Sequence, residues 1–470
     1  MISDYSKYNE LNENLSIDPT RKEIYGEINT PFSFIEEMYD ALPQHLFENP
    51  ELRWLDAGSG SGNFSIVLYF RLMKGLTTSI ETPSNRSKHI IKNMLFMAEI
   101  NEINVKNLKQ LFGKEANIYY GDFLQMSLLS NIQSNIQSNI QQSIPTPNVI
   151  VGNPPFNVNG LAKVPTNSKR SKKNDGQTSW THFVRASISL LAPGGFLNII
   201  IPSIWMKPDK EKIYNLLTSY KIHKIKCLSN SETNKLFSYG AQTPTCYFAL
   251  QKVATDSTLN IYDSIKRDFL KIKINKNMPI ALNGWSILQK ILPFCEKYGR
   301  LSEIVQKTNM PPLKTNLSID HHPISFPYSN IHSCHIKNQT TPELLLRYSN
   351  IPLPFAHLPK IIMAHKMYGF PFVDFEGKYG ISNRDNYVIT YKSHDEMRKL
   401  QQGLNNKIIL FVMTTTRYRM KYLEKYAFYY MPDFSKMEDV VLDFNNELKL
   451  TPEEMHIIEH EIKKDYAFFD

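Results

Sequence analysis

An open, mostly parallel α/β sheet with helices on both faces is predicted for the first half of this chain, followed by a second, mixed α+β domain. Three observations predict it: an apolar strand end running into a glycine loop, acidic residues recurring at the ends of later strands, and a strand and helix alternation that becomes irregular after about residue 255. A length of 470 residues suits two or three domains. Two are expected, residues 1–255 and residues 256–470.

Taken in order, Trp54-Leu55-Asp56 is the strand end, Ala57-Gly58-Ser59-Gly60-Ser61-Gly62 the loop, and Phe64 to Met73 an apolar helix. The run Met94 to Ala98 ends on Glu99, and Ile118 to Tyr120 ends on Gly121-Asp122. Asn148 to Val151 precedes Gly152-Asn153-Pro154-Pro155-Phe156. A helix over Trp180 to Leu191 follows, then Pro193-Gly194-Gly195 and the strand Phe196 to Ile201. Ligands of such sheets sit above the carboxyl ends of the strands. Glu99 lies about twice as far beyond the first strand as a dinucleotide fold requires, so an insertion is expected within residues 75–93. Residues 131–143, repeating Gln-Ser-Asn-Ile, read as a low-complexity insertion. Residues 163–175, with Lys163, Lys169, Arg170, Lys172 and Lys173, read either as a solvated loop or as an arm touching phosphates.

Composition excludes some classes. Hydrophobic residues at 42% against 21% charged are incompatible with a disordered chain. Four widely spaced cysteines, Cys227, Cys246, Cys295 and Cys334, suggest neither a disulfide framework nor a thiolate zinc site. The start, Met1-Ile2-Ser3-Asp4, lacks signal-peptide order, and no run approaches the ~18 apolar residues of a membrane span. A soluble, intracellular, cytoplasmic protein with no membrane partner and no required metal is expected; a viral or phage origin fits equally. The net charge of +9 suits a polyanion partner, and equally an ordinary basic surface.

The chemistry lies in the loops. Glycine lets the backbone approach a nucleotide-like ligand closely. Glu99 can accept both hydroxyls of a ribose, and Asp122 an adenine amino hydrogen. In Asn153-Pro154-Pro155-Phe156 two prolines remove two backbone donors and leave carbonyls as acceptors. Asn153 Oδ1 and the Pro154 carbonyl can then take both hydrogens of a planar exocyclic amine, drawing its lone pair into a nucleophilic form, while Phe156 stacks on the base. A rigid proline turn is the alternative, and the glycine loop and acidic strand ends count against it.

The order Thr30-Pro31-Phe32, Asp56-Ala57-Gly58-Ser59-Gly60, Glu99, Asp122-Phe123, Asn153-Pro154-Pro155-Phe156 and Pro193-Gly194-Gly195 resembles the γ-class amino-methyltransferases of DNA, including those paired with restriction endonucleases. The resemblance covers roughly residues 20–255. It implies a Rossmann-like sheet that binds S-adenosylmethionine and methylates adenine N6 in double-stranded DNA, with a cognate endonuclease as a partner. It further implies that Thr30, Pro31 and Phe32 close over the methionine part of the cofactor. Asp56, Ala57, Gly58 and Gly60 would border it, Glu99 hold its ribose, and Asp122 and Phe123 its adenine. Phe237 is the nearest match to the aromatic that sandwiches an extruded base, though Phe237 and Tyr239 also suit packing. Residues 256–470 would read DNA, with Arg384, Arg417, Arg419 and Lys421 as candidate contacts. Methylation of RNA, of a protein glutamine or of cytosine N4, and a DNA-binding module with a defunct catalytic fold, remain the competing readings. His321-His322, and His332 and His335 around Cys334, fit no firm metal spacing; Asp374 with Glu376-Gly377-Lys378 suggests a hairpin turn over a nuclease pair.

Overall fold

The computed structural model describes residues 28–126, 144–157, 178–238, 241, 243–312, 315–337, 341–365, 370–391, 393–419 and 423–463. The repeat at 131–143, the basic segment 163–175, Tyr239 and Lys421 lie outside the described residues. The chain divides into two compact units: residues 1–262 with 271–277, and residues 263–270 with 278–470.

The first unit is built on a sheet with strand order β3-β2-β1-β4-β5-β7-β6-β8-β9. Its strands are β1 (Trp54–Ala57), β2 (Leu95–Glu99), β3 (Asn117–Tyr120), β4 (Val149–Gly152), β5 (Phe196–Pro202), β6 (Tyr220–Leu228), β7 (Thr245–Ala254), β8 (Thr258–Asp263) and β9 (Asp268–Lys273). β1 pairs in parallel with β2 and β4, β2 with β3, β4 with β5, and β6 with β8. β7 runs antiparallel between β5 and β6. Every residue of β1, β2, β4 and β5 is buried, as a parallel sheet covered on both faces requires. Among the described residues its α-helices are α1 (Phe32–Asp40), α2 (Asn63–Gly75), α3 (Pro83–His89), α4 (Glu102–Phe112), α5 (Trp180–Leu190), α6 (Ile213–Thr218) and α7 (Asn230–Leu236). One apolar cluster joins Trp54, Val67, Met97, Val151 and Ile200 through the sheet. The insertion expected within 75–93 contains α3 and begins a π-helical turn, Ile90–Met94, that feeds directly into β2.

The strand order decides where a ligand can sit. Winding reverses between β1 and β4, which leave β1 with β2 and β3 on one side and β4 with β5 on the other. Open α/β sheets bind ligands at such a switch point, above the strand carboxyl ends. Here those ends carry the glycine loop after β1 and the Asn153 turn after β4.

The second unit contains two four-stranded sheets, so the mixed α+β class expected for the second half holds. One, in the order β10-β17-β14-β15, consists of β10 (Gln306–Lys307), β14 (Lys360–Ala364), β15 (Phe372–Asp374) and β17 (Asn386–Thr390). The other, in the order β11-β13-β12-β16, consists of β11 (Leu317–Ser318), β12 (Tyr328–Lys337), β13 (Thr341–Ser349) and β16 (Gly380–Ile381). Its helices are α8 (Trp285–Tyr298), α9 (His394–Leu404), α10 (Lys407–Thr415) and α11 (Pro452–Glu461); Ser393 with Glu396 and Thr451 with Glu454 form reciprocal capping boxes on α9 and α11. Glu376 and Gly377 stand in the turn after β15, and Asp374 is engaged by Lys360 at 2.6 Å. The histidines take separate partners: His335 meets Glu343 at 3.1 Å and His332 meets Ser382 at 3.2 Å. No group of three or more His, Cys, Asp or Glu able to hold a metal occurs among the described residues, and none of their helices is long and apolar enough to cross a membrane. Arg384 and Arg419 are exposed and Arg417 is half-buried.

Candidate active site

A cavity of about 440 Å³ opens above the switch point, within the ~300–1,000 Å³ typical of small-molecule sites. Thr30, Gly58, Gly60, Glu99, Asp122, Phe123, Asn153 and Pro155 line it, so eight residues singled out in sequence meet at one place. Pro31, Phe32, Asp56, Ala57, Pro154, Phe156 and Phe237 stand outside its lining.

The glycine loop is held by the neighbouring strand: the Gly58 and Ser59 N–H groups both donate to the Ala98 carbonyl at 3.0 Å. Gly62 has φ +92°, and a Cβ there would come within 2.6 Å of Leu108 Cδ2. Only glycine therefore lets the loop turn into α2 while α4 stays packed. Glu99 is buried and accepts from Gly60 N at 2.6 Å and Asn101 N at 2.8 Å. Asp122 Oδ1 accepts from Leu124 N at 2.9 Å, and the Phe123 and Phe183 rings stack with centroids 5.4 Å apart.

The Asn153 turn is braced from two sides. Asn153 Nδ2 donates to Thr30 Oγ1 at 3.2 Å, which leaves Oδ1 as the accepting end of the amide. Ser179 occupies the N-cap position of α5 without capping it; its hydroxyl donates to the Pro155 carbonyl at 2.5 Å and its N–H to the Phe156 carbonyl at 3.1 Å. Two carbonyls of the turn are thus committed, and those of Asn153 and Pro154 take no hydrogen-bond partner among the described residues. Half-buried Phe156 packs against the apolar cluster of the sheet. Phe237, 1% exposed, lies inside that cluster. The structure gives it a packing position rather than a place at the cavity.

Asp56 sits at the end of β1 beneath the loop, 1% exposed. Its Oδ2 accepts from Ser65 Oγ at 2.7 Å, while Oδ1 is buried with no partner among the described residues. Burial is the main force pushing its carboxyl up to about 7; the Ser65 bond opposes this and the negative charge of Glu99 adds to it. Gly152, with φ +144°, passes directly over it: a Cβ there would lie 3.2 Å from the Ala57 carbonyl and 3.5 Å from Asp56 Oδ1. A carboxyl raised above its ordinary 3.8 favours the folded state most below that pH and loses the contribution as pH rises through 7. Asp56→Asn should therefore remove a stability slope of about 3 kcal/mol between pH 5 and 8. Urea unfolding of both proteins across that range checks this; parallel pH profiles would refute it.

Sequence reasoning did not find Asn29, Asn63, Ser179 or Phe183. A serine immediately before the apolar helix Trp180 to Leu191 was a legible N-cap signal, but its diversion to the Pro155 carbonyl depends on the fold. Residues 70–237 match the model of the Eco57I restriction-modification methylase family. The resemblance read from the motifs is thereby supported over the segment that runs from α2 to the end of α7, including Glu99, Asp122 and the Asn153 turn. An "uncharacterized adenine-specific methylase" of Mycoplasma pneumoniae is 37% identical over 73 residues, covering 15% of this chain and 17% of that protein. The chain thus spans about a sixth of that relative's length. Among solved structures, the type IIG restriction endonuclease BpuSI is similar over 95% of this chain and 63% of its own, at 11% identity and a TM-score of 0.42. The M protein of the type I restriction enzyme EcoKI is similar over 50% of this chain and 48% of its own, at 18% identity and a TM-score of 0.36.

Proposed function

We propose that this chain transfers the methyl group of S-adenosylmethionine to the N6 amino group of an adenine in double-stranded DNA. The observation that carries the reading is the joint lining of one cavity by Gly58, Gly60, Glu99 and Asp122 on one side and Asn153 on the other. A cofactor pocket and an amine-accepting turn then share a wall. The residues fit the group: Glu99 lines the cavity at the end of one strand with a carboxylate suited to the ribose, Asp122 stands at the end of the next for the adenine amine, and the stacked Phe123 and Phe183 give an apolar surface for the ring. When bound, S-adenosylmethionine supplies a methyl group on a sulfonium, already activated toward a nucleophile.

The protein's own contribution is placement and hydrogen bonding. Asn153 Oδ1 and the Pro154 carbonyl accept the two amine hydrogens, localising the lone pair on nitrogen as the methyl arrives. Ser179 keeps the Pro155 and Phe156 carbonyls out of that competition. No strong base is needed, because the proton leaves to water after the N–C bond has formed. The base must leave the duplex at a cost of a few kcal/mol, and stacking on Phe156, worth roughly 1–3 kcal/mol, offsets much of it. The second unit is the part proposed to read the DNA, and a cognate restriction endonuclease is the proposed protein partner.

The test is incubation with methyl-labelled S-adenosylmethionine and, separately, duplex DNA, RNA and protein, followed by digestion. Label in N6-methyladenine from DNA is expected; label confined to RNA, protein or N4-methylcytosine would replace this reading. Glu99→Gln should weaken S-adenosylmethionine binding by about 10–100-fold in calorimetry, since it exchanges a charged double acceptor for an amide whose NH₂ faces a backbone N–H. Unchanged affinity would remove Glu99 from the cofactor site.

A further inference from the structure

The cavity wall at Asn29 and Thr30 is tied to three other parts of the site. Ser61 Oγ stands 3.0 Å from both Asn29 Oδ1 and Asn63 Oδ1, Asn63 Nδ2 donates to the Thr30 carbonyl at 2.9 Å, and Asn153 Nδ2 donates to Thr30 Oγ1 at 3.2 Å. Thr30 is 2% exposed and Asn63 is 7% exposed. These contacts thus form a continuous path from the glycine loop, through residues 29 and 30, to the amide of the turn.

The path matters because a primary amide has nearly the same outline in two orientations half a turn apart. One presents a carbonyl oxygen, the other two donor hydrogens. An acceptor facing the substrate amine assists transfer; an NH₂ group facing it opposes transfer, because two donors meet. The neighbouring prolines carry no N–H that could engage the amide oxygen instead. The choice of orientation falls to whatever engages Nδ2.

We propose that Thr30 is a positioning residue for methyl transfer, its hydroxyl accepting from Asn153 Nδ2 so that Oδ1 meets the substrate, and its carbonyl tying that orientation to the glycine loop through Asn63. The inference rests on the methyltransferase reading above and adds a role separate from cofactor contact. Thr30→Val keeps the β-branched shape and removes the acceptor; Thr30→Ser restores the acceptor alone.

At saturating S-adenosylmethionine, single-turnover methylation of duplex DNA by Thr30→Val should fall by about 10–100-fold, with Thr30→Ser recovering most of the rate. Side-chain amide signals of asparagine-labelled protein, with Asn153 assigned by its loss in Asn153→Ala, should move in Thr30→Val and return in Thr30→Ser. A Thr30→Val rate equal to the parent's, a loss of rate that only follows loss of cofactor affinity, or unmoved Asn153 signals would overturn the proposal. The amide signals decide whether Thr30 holds Asn153 even where no acceptor is methylated, an outcome that would sink the methyltransferase reading instead.

Discussion

Asn153→Ala is expected to lower methyl transfer by about 10²–10³-fold or more while leaving the cofactor site able to bind. The amide is the one side chain of the turn that can accept an amine hydrogen, and Thr30 already holds its other end. Alanine removes the acceptor without altering Pro154, Pro155 or the Ser179 brace, so the loss should be in the chemical step. Single-turnover rates and calorimetry with S-adenosylmethionine separate the two effects. A variant that binds the cofactor normally and transfers methyl at the parent rate would show that the turn is only a structural element. Asn153→Asp sharpens the test: it keeps an accepting oxygen but replaces the NH₂ donated to Thr30, so it should retain more activity than alanine and less than the parent.

Asp374→Ala should be the most damaging single change in the second unit. Lys360 and Asp374 meet at 2.6 Å across the β14–β15 pair with side chains 0% and 3% exposed. Asp374 also accepts from the Lys378 and Tyr379 N–H groups, each at 2.9 Å, and so closes the turn that contains Gly377. Burial presses the Lys360 ammonium toward its neutral form, and the Asp374 carboxylate opposes this. Alanine leaves a buried ammonium without its counter-charge and two N–H groups without an acceptor. The expected cost is about 3–5 kcal/mol, visible as an earlier unfolding transition in urea. Replacing both partners, as Lys360→Met with Asp374→Leu, should cost less than Asp374→Ala, because no charge is stranded. Equal midpoints for Asp374→Ala and the parent would mean the pair contributes nothing.

Much of the first unit was legible because its signals are local. A glycine loop after an apolar strand, and acids at the ends of the next two strands, follow from the need to seat a ligand above a parallel sheet. Glu99 was recognisable although an insertion separates it from β1, since a strand's terminal acid is marked by the strand itself; α3 and the π-helical turn after it take up the extra length. The contacts that the motifs left hidden act at long range. Asn153 and Thr30 are 123 positions apart, and Asn63 and Thr30 are 33 apart. Ser179 is a helix N-cap by its sequence position, yet it spends its hydroxyl on a carbonyl 24 residues upstream. Phe237 shows the reverse case. Its neighbourhood resembled a base-stacking motif, but apolar packing claims the ring, a choice that depends on what else fills the cluster around α7.

By itself the sequence determined the types of group available and the order in which they occur: loop, acid, acid, acceptor turn, on successive strand ends of a parallel sheet. It also determined that two of the turn's residues offer no backbone N–H, because proline chemistry is independent of context. Only the tertiary structure decided which groups meet. Pairing β1 with β4 places the glycine loop beside Asn153, and the hydrogen bonds of Thr30 and Ser179 select which acceptors of the turn stay open. The physical reason is that strand and helix formation answer to neighbours a few positions away, whereas strand order and side-chain orientation answer to the burial of the whole sheet. Those energies exist only once distant segments have come together.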